Sequence, residues 1–172
     1  MILKGFKEKS NKKYFNKLLV NRKISSASKR IESLGVILNI DEISSIEAIE
    51  PISKLLNIKP NSFKIIAFTA AAEAKIDAGY PIYTANDIGW GGSIKNPELE
   101  LFLETKFDAL ISYYFVDNLD LKLLTAATKA DFKIGVLQEE PRLNDLILNI
   151  NQGAIEVFKS ELLKYLSILK RI

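Results

Sequence analysis

The sequence predicts an α/β fold: a mostly parallel sheet of about five strands with helices on both faces, preceded by a basic helix. Three observations carry this. Residues 33–40, 63–69, 107–114 and 132–138 are nearly continuous apolar runs, as expected of strands buried on both faces. Between these runs, apolar residues recur at helical spacing. The first thirty residues, finally, carry a charge quite unlike that of the rest.

Taken in order, residues 2–21 read as a basic amphipathic helix. Ile2, Leu3 and Phe6 form one apolar cluster; Tyr14, Phe15, Leu18 and Leu19 form a second, with an interruption at Ser10 and Asn11. The serine-rich stretch 25–28 reads as a flexible joint, which separates an arm (1–30) from a single α/β domain (31–172). The arm is expected to be dispensable for folding of that domain.

The first strand is 33–40. Ile46, Ile49, Ile52, Leu55 and Leu56 then follow a helical period, and Pro51 inside it means that the helix kinks or a second one begins. The second strand is 63–69. Residues 70–78 suit a short helix or a loop, and 81–84 a weak edge strand. Asn96 is placed to cap a helix that has Pro97 at its first position and Glu98 and Glu100 in its first turn. Strand 107–114 precedes a helix capped by Asp117 and Asn118, with Leu119, Leu123, Leu124 and Ala127 on one face. Strands 132–138 and 143–150 are separated by too few residues for a parallel crossover, so this pair is expected to be antiparallel. Residues 154–171 form a closing helix expected to turn Ile155, Phe158, Leu162, Leu166 and Leu169 to the sheet.

Composition excludes much chemistry. The 172 residues are 48% hydrophobic and 26% charged and include neither cysteine nor histidine. Disulfides, thiolate nucleophiles, Ser-His-Asp and Cys-His catalysis, and Cys- or His-ligated metals are thereby removed; no metal site is assigned, although Asp117 or Glu139 could serve as a general base or hold magnesium. No apolar run approaches the roughly 18 residues of a membrane span, and the start lacks the apolar core of a signal peptide. A cytoplasmic protein is expected, with a peripheral membrane position left open. The overall charge of +3 conceals an asymmetry: ten Lys and Arg against one acid give residues 1–30 a charge of +9, which leaves −6 on the remainder. Lys9, Lys12, Lys13, Lys17, Arg22 and Lys23 are the candidates for contact with a polyanion, whether nucleic acid, ribosome or anionic membrane surface. The same helix could instead dock its aromatic face on the domain and leave its lysines in water.

Open α/β sheets bind ligands beyond the carboxyl ends of their strands. Tyr113, Asp117, Gln138 and Arg142 fall there. Arg142 suits a phosphate or carboxylate, and Asp117 suits a base; Asp117 equally suits a helix cap, and Arg142 a neighbouring carboxylate. Trp90, within Gly89-Trp90-Gly91-Gly92, is a candidate anchor for a protein partner or a residue tucked into an irregular loop. Neither the dinucleotide nor the P-loop glycine pattern occurs.

The stretches Phe107-Asp108-Ala109-Leu110-Ile111, Leu123-Leu124-Thr125-Ala126-Ala127 and Ala130-Asp131-Phe132-Lys133-Ile134-Gly135 resemble an uncharacterised bacterial family, a domain of unknown function. Residues 142–147 and Lys164-Tyr165-Leu166 look like it too. The resemblance runs nearly end to end and implies a Rossmann-like α/β body with no assigned activity, substrate or cofactor. About 30 residues of the same strand–helix–strand stretch are also similar to one half of heptosyltransferase-type glycosyltransferases, a fold-level analogy. Two function classes stand: a non-catalytic binding or scaffolding module using the basic helix, or a small enzyme or nucleotide or sugar-phosphate binder using the strand-end crevice.

Overall fold

The computed structural model describes residues 2–25, 29–71 and 79–172. Most of the Ser-rich joint and of the stretch 70–78 lies outside them. At the centre of the sheet is β1 (Leu34–Asn39), buried along its whole length. It pairs with β2 (Phe63–Phe68) on one side and with β4 (Phe107–Tyr113) on the other. The two-residue β3 (Ile82–Tyr83) lies outside β2, at an edge as its weak sequence signal suggested. Beyond β4 come β5 (Ala130–Gly135) and β6 (Leu146–Ile147). The six strands follow the order β3-β2-β1-β4-β5-β6, and every pair is parallel.

The last pair corrects the antiparallel expectation for 132–138 and 143–150. Ile134 stands opposite Leu146 and Gly135 opposite Ile147, in the same direction. Both strands are shorter than their apolar runs, so the link spans ten residues, Val136 to Asp145, rather than about five. That length lets the chain loop back beside Ile134 and Gly135, the last two residues of β5, without a helix. Leu137 and Leu143 fill one face of the sheet during this excursion, and Leu148 fills the other.

Two apolar layers flank the sheet. α2 (Pro51–Leu55) and α5 (Ile155–Ile168) cover one face with Ile52, Phe158, Leu162 and Leu166. α1 (Ile2–Asn21), α3 (Pro97–Glu104) and α4 (Leu119–Ala127) cover the other with Phe15, Leu99, Phe102, Leu121 and Leu124. The alternation of β1 follows: Leu34, Val36 and Leu38 face the first layer and Ile37 the second. Gly35 has no side chain because the Phe107 ring occupies its place; a Cβ there would lie 2.9 Å from that ring. Pro51 does begin a second helix, after a 3-10 turn at Ile46–Ala48. Asn96 and Asn118 cap α3 and α4 through their side-chain oxygens.

Helix α1 runs without the interruption expected at Ser10 and Asn11. Asn11 is buried instead, and its Oδ1 accepts the Gly92 N–H at 3.0 Å. The weak helix propensity of asparagine is offset by that tertiary bond. Gly92 has φ +72°, and a Cβ there would run into the Tyr14 ring, so glycine at this position is what lets the loop close on the helix. Phe15 and Leu19 join the second apolar layer. At the far end, the Arg22 guanidinium meets Asp145 at 2.5 Å and also donates to the Arg142 carbonyl. Phe15, Leu19 and Arg22 thus tie the arm to the domain. Phe15→Ala is expected to lower unfolding free energy in urea by about 3 kcal/mol, and removing α1 to leave a cooperative transition weakened or lost.

Lys133 is 4% exposed on β5. Its Nζ donates to the Thr125 and Ala126 carbonyls at the end of α4, at 2.6 and 3.1 Å. Burial, helped by the nearby Arg22 charge and opposed by Asp145, pulls its ammonium down to about 7. In the unfolded chain the same group holds its proton to the ordinary lysine value of 10.5. Between those values the unfolded state binds more protons, so stability rises with pH across the interval and stays flat below it. No histidine or cysteine titrates alongside. Urea unfolding is expected to show a gain of at least about 1.4 kcal/mol between pH 6.5 and pH 9, and Lys133→Met is expected to abolish that gain.

Candidate functional site

The strand order runs outward from β1 in both directions, so the chain reverses its progress between β1 and β4. In parallel sheets the connections on either side of such a reversal leave on opposite faces and open a crevice at the carboxyl ends. A cavity of about 480 Å³ lies there. Its walls come from the loop after β1, the last residue of β4, and the start of α5.

Tyr113 supplies a phenol hydroxyl from the end of β4. The residue is 2% exposed, its hydroxyl has no hydrogen-bond partner in the described chain, and it lines the cavity. Phe115 and Phe158 hold its ring edge-on, with centroids 5.4 and 5.0 Å away. Burial, and secondarily the Glu42 charge, raises the phenol above its ordinary value, so it stays protonated. Glu42 stands at the rim, where one carboxylate oxygen accepts the Phe115 N–H at 3.0 Å. Gln152 reaches the Glu42 carbonyl at 3.5 Å. The N-cap of α5 is Ala154, which offers no side-chain acceptor to the first-turn N–H groups. Ile43, Ala48, Ile49 and Ile155 add aliphatic surface beside Ser44, Ser45 and Gly153, and among the described residues no Lys or Arg lines the cavity.

The other strand-end candidates are held elsewhere. Asp117 pairs with Lys122 at 2.5 Å and borders a separate recess of about 270 Å³ with Lys4, Lys7, Glu8 and Asp120, where opposite charges face one another. Gln138 donates to the Val136 carbonyl. Arg142 engages Glu140 through two bonds of 2.8 and 2.9 Å, which also depresses that carboxyl. The structure therefore brings only Tyr113 to the cavity. Glu42, Gln152 and the α5 terminus were missed: Glu42 lies just past the Asn39 and Asp41 positions that end the first strand, but nothing local in sequence marks 152–155 as its neighbour. No group of three or more carboxylates suited to a metal ion occurs among the described residues.

The basic arm presents the second candidate surface. Phe6 and Phe15 are nine residues apart, about two and a half turns, so the two apolar clusters lie on opposite faces of α1 rather than on one. The second docks on the domain. The first stays outside: Ile2, Leu3 and Phe6 are 77%, 73% and 57% exposed. Lys9, Lys12, Lys13 and Lys17 are exposed on α1, as is Lys23 beyond it, and none forms an ion pair among the described residues. Arg22 differs, since Asp145 holds it inward. Trp90 is half exposed on the turn that closes against α1, rather than tucked away.

No curated protein matches the chain. Among solved structures, a chorismate mutase/shikimate 5-dehydrogenase fusion protein from Clostridium acetobutylicum aligns with 92% of this chain at 14% identity and a TM-score of 0.31, a likeness too slight to carry an argument. The chain spans 62% of that protein's length. A family model, by contrast, matches residues 7–169, from the second turn of α1 to the end of α5. With its six-stranded Rossmann-like sheet, the chain belongs to the family of unknown function DUF6913.

Proposed function

We propose that this protein is a binding module that lies on an anionic membrane surface through the outer face of α1. The supporting observation is a single ridge on that face, in which Ile2, Phe6 and Val20 are exposed together with Lys9, Lys13 and Lys17. Residues at these spacings fall within one half of the helix circumference. Lysines alone would suit any polyanion. The aliphatic members favour lipid, because Ile2 and Val20 can bury area among acyl chains but cannot stack on bases as aromatic rings do. The docked inner face fixes the ridge in place, so the helix need not fold on arrival. No helix among the described residues is long and apolar enough to cross a membrane, and the contact proposed is peripheral.

The test is flotation of the full chain with vesicles that are one-third phosphatidylglycerol in phosphatidylcholine, at low and high salt. Binding is expected to the charged vesicles only and to weaken with salt. Replacing Lys9, Lys13 and Lys17 with Gln, or Phe6 with Ser, is expected to lower affinity at least about tenfold, since each cation or buried ring contributes on the order of 1 kcal/mol or more. Absence of vesicle binding would overturn the reading. So would capture of single-stranded RNA that depends on the lysines but not on Phe6.

A further inference from the structure

The strand-end cavity is separate from the α1 ridge, and we infer that it is a binding site for an uncharged nucleoside-type ligand, a flat ring carrying a vicinal diol. Four features specify that chemistry. Its volume of about 480 Å³ falls within the range of small-molecule sites, about 300 to 1,000 Å³. Among the described residues its lining has the Glu42 carboxylate and no Lys or Arg, so a phosphate would meet a like charge. One Glu42 oxygen already serves the Phe115 N–H, and the other is left to accept from a hydroxyl pair. The aliphatic side chains of Ile43, Ala48, Ile49 and Ile155 offer contact to a ring face that a bare sugar would leave unused.

The Tyr113 hydroxyl is a second polar group on the wall. It is the polar end of a residue 2% exposed, fixed by two aromatic neighbours, and it lines the cavity, so its donor is presented to whatever occupies that space. The uncapped first turn of α5 adds N–H donors on the wall that Ile155 contributes, suited to a ring carbonyl or a ribose oxygen. The site thus offers a carboxylate to donors and a phenol and backbone amides to acceptors, around an apolar interior. No glycine-rich phosphate loop follows β1, where the chain reads Ile40-Asp41-Glu42-Ile43-Ser44-Ser45, so a dinucleotide pyrophosphate has no cradle.

The experiment is isothermal titration of the full chain with adenosine, guanosine, cytidine and uridine, their 2′-deoxy forms and their 5′-monophosphates. At least one ribonucleoside is expected to bind. Its deoxy form should bind about tenfold more weakly, and its monophosphate no more tightly. Tyr113→Phe removes an oxygen that holds nothing in the fold, and Glu42→Gln retains an acceptor for Phe115; both should keep the thermal midpoint while lowering affinity about tenfold. The inference is overturned if no ribonucleoside binds or if a deoxynucleoside binds equally well. It is equally overturned if a monophosphate binds tighter than its nucleoside, or if binding survives both substitutions.

Discussion

Six consecutive residues of β1 are buried, so the backbone N–H and C=O groups of that strand must find their partners in its neighbours. β2 and β4 supply those partners on either side, both parallel, and parallel pairing demands connections that leave the sheet and return. The layers of helix follow from that demand. So does the cavity, because the strand whose neighbours lead away in opposite directions is the one at whose end the crevice opens. The other end of β1 is closed by Asp108 of β4. Burial alone would raise that carboxyl, but the Lys29 ammonium, the N–H groups of Glu32 and Ser33 and the Ser33 hydroxyl all donate to it and hold it below the usual range. One strand thus has a charged clamp at its start and an open mouth at its finish.

Much of this is written in local sequence. The long apolar runs of β1, β2, β4 and β5, the Asn96 and Asn118 caps and the new helix at Pro51 all depend on residues within a few positions of one another. Strand length is different. The apolar run at 143–150 suggests eight residues of strand, but only Leu146 and Ile147 pair; Leu143 belongs to the preceding excursion, where it packs with Leu137 in the second apolar layer. A hydrophobic stretch reports burial and not hydrogen bonding, and that ambiguity produced the wrong direction for the last strand.

The candidate sites divide in the same way. The basic character of α1 is visible from its lysines, but its opposed apolar faces emerge only once the unbroken helix sets the rotation between Phe6 and Phe15. Tyr113 is legible as a strand-end residue. Its partners across the cavity belong to segments some 70 residues earlier and 40 later, and only the strand order unites them. Asp117, Gln138 and Arg142 share the strand-end position with Tyr113 but have local partners that occupy them. Position relative to the sheet is therefore a weaker guide than whether a polar group is already satisfied.

The outermost strands, β3 and β6, contain two residues each. An open sheet exposes a row of backbone donors and acceptors along both borders, which another chain can extend. Among the described residues, each border is a stub paired with only two of the six residues of the strand inside it, too short to template a further strand. The remaining stretches carry charge: Lys64 on β2 is exposed, and Asp131 on β5 lies 3.5 Å from Lys106. A parallel sheet is slow to assemble and vulnerable to mispairing while its borders are bare. Finishing both borders with minimal strands and fixed charges gives this chain a built-in resistance to edge-to-edge polymerisation.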